Sequence, residues 1–321
     1  MNNITVIGCG RWGSFIAYYL DKIGKNVTLY GRSDSKDFVN FRNTRTNGKV
    51  ILRESLKLED NIENALKNDV IVISINSQGL RNLMKEIVSV GVKNKTFILC
   101  MKGIEIDTGK RLSEVVEEFV DESCRVAVWI GPGHVEEFVK GVTTCMVIDS
   151  KDNVVKEKLV KEFSSNLIRF YYGSDLIGNE IGAASKNVIG IAAGMLDGFG
   201  LSSLKGALMS RGTIEISRFI KAMGGNELSA YGLCHLGDYE ATVFSEHSHN
   251  RMFGELFVKK EEYTSLAEGY YTVKAMMNIA KDKNIELPIC ETVYNILYEN
   301  KDPKEELDKL FMRSIKKEFI F

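Results

Sequence analysis

Short apolar runs alternate with amphipathic stretches through the first half of the chain, and only helical periods remain in the second. Residues 4–7, ITVI, read as a strand. Trp12, Phe15, Ile16, Tyr19, Leu20 and Ile23 then recur at helical spacing, with Gly24 as the stop. Val27–Tyr30 is a second strand, and further strands are expected at 69–75, 96–101, 125–130, 143–148 and 167–172. Helices are expected from about 76 to 90, over 109–121 and near 152–165. Strands alternating with helices predict a doubly wound parallel sheet. From Asp175 onward the strand signals stop. The fold class expected is therefore α/β: a dinucleotide-binding Rossmann domain over 1–173 and an all-α domain over 174–321, holding the substrate and catalytic groups.

Composition narrows the function classes. The chain has 321 residues, a net charge of −1 and 26% charged residues, with no basic run, so nucleic-acid binding is not expected. The six cysteines lack metal-ligand spacing and mostly sit in apolar runs, as buried free thiols do in a reducing compartment. The first residues enter a strand at once, and the apolar stretch near 187–197 is interrupted by Asn, Gly and Asp. No signal peptide and no membrane span are expected, and the protein is read as cytoplasmic.

Three features carry chemistry. Gly8-Cys9-Gly10-Arg11-Trp12-Gly13 is a GxGxxG between a strand and a helix, the arrangement that lets a backbone and a helix N-terminus meet a pyrophosphate. The second strand runs into Gly31-Arg32-Ser33 rather than an acid, so Arg32 favours the 2′-phosphate of NADPH or dual use with NADH. Gly182, Lys186, Gly190 and Gly194 stand four apart on one helical face. Glycine costs a helix interior about 1 kcal/mol, so something must approach closely there, and a lysine in such a groove is a candidate for proton transfer. The glycine loop, Lys102 and Gly131–His134 all fall at the carboxyl ends of expected strands, where ligands bind in such sheets.

GCGRWGSFIA (8–17), MKGIEIDTGKRLSEV (101–115), GPG (131–133), GAASKNVIGIAAGMLDGFG (182–200), RGTIEISR (211–218), GLCHLGDYEAT (232–242), HNRMFG (249–254) and AEGYYTVKAM (from 267) occur in order. On these segments the chain resembles the bacterial NAD(P)H-dependent glycerol-3-phosphate dehydrogenases over essentially its full length. The resemblance implies reversible reduction of dihydroxyacetone phosphate to sn-glycerol 3-phosphate for phospholipid synthesis, by a homodimer. It implies a catalytic set of Lys186 as proton donor and acceptor, Lys102 and Asp238. Together with the glycine loop and Arg32 read above, it places Gly8, Gly10, Arg11, Trp12, Gly13, Arg32, Lys102, Val135 and Glu268 on the cofactor. On the substrate it places Lys102, Gly131, Gly133, Lys186, Asn187, Asp238, Thr242, Ser248, His249, Asn250 and Arg251. No metal is expected: His235, Asp238, His247 and His249 cluster in sequence, but hydride transfer needs none when a lysine supplies the proton.

The chain departs from the family pattern in one region. GPSFA is replaced by Gly131-Pro132-Gly133-His134-Val135, SRN by Ser248-His249-Asn250, and GDN by Ser202-Ser203-Leu204. The arginine lost at 249 normally forks onto the substrate phosphate, and histidine does not reproduce that geometry. Either Arg251, His134 or His249 holds the phosphate, or the enzyme reduces a different small ketone or aldehyde. A non-enzymatic NAD(P)-binding regulator is a third reading, against which the retained lysine pair argues. The run Lys301–Leu310 reads as a solvated helix.

Overall fold

Eight strands form one sheet: β1 (Asn3–Ile7), β2 (Asn26–Tyr30), β3 (Lys57–Glu59), β4 (Val70–Ile73), β5 (Thr96–Leu99), β6 (Arg125–Ile130), β7 (Thr144–Ser150) and β8 (Ile168–Tyr172). These belong to a computed structural model that describes residues 1–313. Residues 314–321, included in the expected helical half, lie outside the described residues. Within and between the strands run α1 (Arg11–Lys22), α2 (Lys36–Thr44), α3 (Ile62–Ala65), α4 (Leu80–Ser89), α5 (Leu112–Glu117), α6 (Val135–Val139) and α7 (Asn153–Phe163). The second half holds α8 (Leu176–Gly198), α9 (Lys205–Ala222), α10 (His249–Lys259), α11 (Glu268–Lys283), α12 (Pro288–Tyr298) and α13 (Pro303–Phe311).

The strand order is β3-β2-β1-β4-β5-β6-β7-β8. The order in which strands are added reverses between the parallel neighbours β1 and β4, whose carboxyl ends flank the switch point where α/β sheets take their ligands. The central strands are buried on both faces, as near-continuous Val and Ile runs require.

The expectation of a wholly parallel sheet needs one correction. β7 pairs antiparallel with β6, and β8 follows β7 in parallel. Residues 131–143 contain only the short α6, which starts at the rim where β6 ends, so the chain turns back without crossing the sheet. This reversal matters for the site. The chain leaves β8 at the opposite edge, and the long helix α8 carries it back along β6 and β7 toward the ligand rim.

Smaller differences have local causes. The helix expected over 109–121 shortens to α5, because Gly109 adopts φ +68° and breaks its start. The expectation had no element between Arg32 and Asp69, where α2 buries only Phe38 and Phe41 and β3 has three residues. α13 is not a fully solvated helix: Leu307 is 1% exposed and packs into the helical core.

The glycine row of α8 works as a seat. A Cβ on Gly194 would lie 1.9 Å from the carbonyl oxygen of Arg251, and one on Gly254 would lie 2.1 Å from that of Ile191. α8 and α10 therefore touch backbone to backbone, each through the other's glycine. Gly182 faces His235, while Gly190 faces Thr242 and Asn250. Gly194→Ala is expected to destabilise the protein by about 1–3 kcal/mol through overpacking, read as a lower Tm; an unchanged Tm would show that the helices separate freely.

Candidate active site

Each glycine of the first loop has a distinct duty. Gly8 sits at φ +113°, with its α-carbon against the Ser74 carbonyl. A Cβ on Gly13 would lie 2.1 Å from the Gly8 carbonyl, so α1 packs directly on the loop. Gly10 has open space where a side chain would stand, and it caps α1 without any side-chain bond. The first amides of α1 are thus left for a ligand. A cavity of about 720 Å³ runs past Gly8, Gly10, Gly13, Gly31, Arg32 and Glu86. These features fit a dinucleotide: uncapped helix amides, a cradle a Cβ would fill, and a long cleft at the switch point. Arg32 is mostly exposed at this cleft, 3.7 Å from Asp34.

A second cavity, about 420 Å³, shares Arg11, Trp12, Ser74, Ile75 and Leu266 with the first. Lys102, brought by the chain beyond β5, and Lys186, from the middle of α8, both line it. Lys186 Nζ lies 2.9 Å from Asp238 Oδ2 and donates to Thr242 Oγ1 at 2.5 Å. Lys102 Nζ lies 2.7 Å from the same Asp238 oxygen and donates to the Gly131 carbonyl at 2.7 Å. One carboxylate oxygen, 1% exposed by residue, thus holds two ammonium groups. Asp238 ends a 3-10 turn and Thr242 sits in the π-helical turn Glu240–Phe244, so both reach Lys186 from one irregular segment. Burial pulls the Lys186 pKa below the usual lysine value, to about 8; Asp238 opposes this and Lys102 reinforces it.

The surrounding residues tie the helical half to the sheet. Asn187 donates to the Lys102 carbonyl at 3.2 Å. Glu268, at the start of α11, accepts from the Ser77 amide at 3.0 Å and its hydroxyl at 2.5 Å, and burial raises its pKa. Asn250 accepts from the Gly269 amide at 2.8 Å. Ser248 caps α10 by accepting from the Arg251 amide at 3.3 Å.

Most residues expected on substrate or cofactor meet at these cavities: Gly133, Val135, Asn187, Thr242, Ser248, His249, Asn250 and Glu268 line the second. Gly131 enters through its carbonyl. Arg251 does not turn to the cavity. Its guanidinium lies 2.8 Å from Asp197 and 2.9 Å from Glu255, and its Nε donates to the Ser245 carbonyl at 3.0 Å. Gly133 has a structural reason for replacing a serine: it adopts φ +149°, and a Cβ would lie 2.3 Å from the Phe138 ring. Ser74, Ile75, His247 and Leu266 were not foreseen as lining residues. The switch-point rule locates Ser74 and Ile75 directly after β4; His247 and Leu266 carry no such signal.

The profile described as NAD-dependent glycerol-3-phosphate dehydrogenase N-terminus matches residues 3–156, and that of the C-terminus matches residues 175–308. The chain belongs to the NAD-dependent glycerol-3-phosphate dehydrogenase family. It is 38% identical to the glycerol-3-phosphate dehydrogenase (NAD(P)+) of Thermotoga sp. (strain RQ2), with 98% of each chain covered. It is 36% identical to the protein of that name from Fusobacterium nucleatum, with 99% of each covered. A crystal structure of glycerol-3-phosphate dehydrogenase from Coxiella burnetii superposes with a TM-score of 0.91 at 25% identity, covering 97% of this chain and 99% of that one. Membership makes the chain an NAD(P)-dependent oxidoreductase of the Rossmann type. No helix among the described residues is long and apolar enough to cross a membrane.

Proposed function

We propose that this enzyme reversibly reduces dihydroxyacetone phosphate to sn-glycerol 3-phosphate, with Lys186 as proton donor and acceptor and NADPH as the favoured reductant. The observation that carries the reading is the two-lysine, one-carboxylate centre beside the dinucleotide cleft. When bound, the nicotinamide supplies the hydride that converts the ketone carbon to a carbinol carbon. The chain's own groups do the rest. An ammonium has three N–H donors. Lys186 donates one to Thr242 and pairs with Asp238 at 2.9 Å, and Lys102 commits two, to Asp238 and Gly131. Each nitrogen keeps one donor for the substrate. Lys186, with a pKa of about 8, gives its proton to the developing alkoxide in reduction and takes it back in oxidation. Lys102 polarises and orients the substrate oxygens. Arg32, exposed at the cleft, supports the NADPH preference. The full-length likeness to the family supports a cytoplasmic homodimer whose product feeds glycerophospholipid synthesis.

The test is NADPH oxidation, followed by absorbance, with dihydroxyacetone phosphate beside unphosphorylated dihydroxyacetone and carboxylated ketones. Turnover far faster with the phosphorylated ketone, and a higher kcat/KM for NADPH than for NADH, are expected. Equal rates with and without the phosphate would transfer the assignment to a different small ketone or aldehyde. That second reading is favoured by His249, which stands where the family carries an arginine.

A further inference from the structure

The cavity beside the lysine pair holds a positive charge that its acids leave unbalanced. Its lining has three basic side chains of the Lys and Arg type, Arg11, Lys102 and Lys186, and one carboxylate, Glu268. Asp238 is shared by the two lysines, and Glu268 is engaged by Ser77. Arg11 is different. It pairs with Glu136, but Glu136 also takes Lys49 at 3.0 Å, so the trio keeps a net positive charge. Arg11 Nη1 donates to the His247 carbonyl at 3.3 Å, which brings the guanidinium to the start of α10. Its Nε is buried and without a partner.

That helix start is built for an anion. Ser248 occupies the Arg251 amide, and the amides of His249 and Asn250, in the first turn, have no partner four residues back. His134 lines the same cavity, is 9% exposed, stacks edge-on 5.7 Å from the His247 ring, and leaves its Nε2 buried and unpartnered. Burial, then Arg11, lower its pKa to about 4, so it meets a ligand as a neutral hydrogen-bonding ring. The other candidates for a phosphate contact are less able to bring a charge: burial lowers the His249 pKa, which keeps that ring neutral. Arg251 is tied to Asp197 and Glu255, and His249 Nδ1 is bonded to the Tyr263 hydroxyl at 2.6 Å.

We infer that Arg11, from the dinucleotide loop, grips the phosphate of the substrate together with the first amides of α10 and His134, in the role an arginine at position 249 would fill. The cation has moved from the helix to the loop facing it. This rests on the dihydroxyacetone phosphate reading and gives Arg11 a substrate role rather than a cofactor role.

The wild-type enzyme is assayed first with dihydroxyacetone phosphate and dihydroxyacetone; absence of a preference for the phosphorylated ketone overturns both this inference and the function it rests on. With that preference established, Arg11→Ala is expected to shrink the ratio of the two kcat/KM values by about 100-fold, as for truncation of a hydrogen-bonded charge contact. Arg11→Lys keeps a cation and retains part of the ratio. His249→Arg placed on Arg11→Ala restores it. Inorganic phosphate competes with dihydroxyacetone phosphate in the wild type and loses that competition in Arg11→Ala. A preserved ratio with a weakened affinity for NADPH would overturn the inference, leave the function standing, and assign Arg11 to the cofactor.

Discussion

Replacing Lys186 by methionine is expected to lower kcat for ketone reduction by about 10²–10⁴-fold while NADPH still binds, because the alkoxide then has no positioned proton donor. The pH profile gives the same residue a second signature. In reduction the ammonium form is the active one, so the rate should fall as pH rises through about 8. In oxidation the neutral amine is the active form, so the rate should rise across the same range. Both limbs should vanish in the methionine variant, whose side chain does not titrate. Measuring kcat against pH in both directions checks this, with cofactor binding followed by fluorescence. Limbs that persist near pH 8 without Lys186 would assign the proton to another group.

Asp238→Asn is expected to be nearly as damaging, for an electrostatic reason. The wild-type carboxylate oxygen lies 2.7 Å from one lysine nitrogen and 2.9 Å from the other. The amide keeps the shape and loses the charge, so the buried Lys186 ammonium and the partly exposed Lys102 ammonium face each other uncompensated. Breaking a buried ion pair on one side costs about 3–5 kcal/mol, unless a proton leaves instead. Lys186 is the group that would release it, because Asp238 is what holds its pKa up against burial. The basic limb of the reduction profile should therefore move to lower pH, and kcat near neutrality should drop. A limb that stays near pH 8 would mean that Asp238 contributes shape alone.

Much of the architecture was legible in the sequence because it rests on local chemistry. Strand and helix periods depend on neighbouring residues. The glycine loop announces itself because Gly8 and Gly13 each meet backbone atoms that no side chain would clear. The four-residue row through Lys186 marked a close approach before its partner was known, and that partner is α10 with the turn before it. Where the reading fell short, the deciding contacts lie far apart along the chain. The reversal of β7 depends on where α6 sits relative to the rim, not on the composition of β7. Arg251 is withdrawn by Asp197, and Arg11 is drawn toward His247, 236 residues away.

Position in the chain thus set which residue types were available: two lysines, one aspartate, a glycine cradle and a histidine in place of an arginine. Folding decided which of them share a space. One oxygen of Asp238 joins a lysine after β5 to a lysine within α8 only because β7 and β8 run against the other strands and return α8 to the ligand rim. A charge's effect depends on its distance to other charges and on burial, and both are properties of the packed chain.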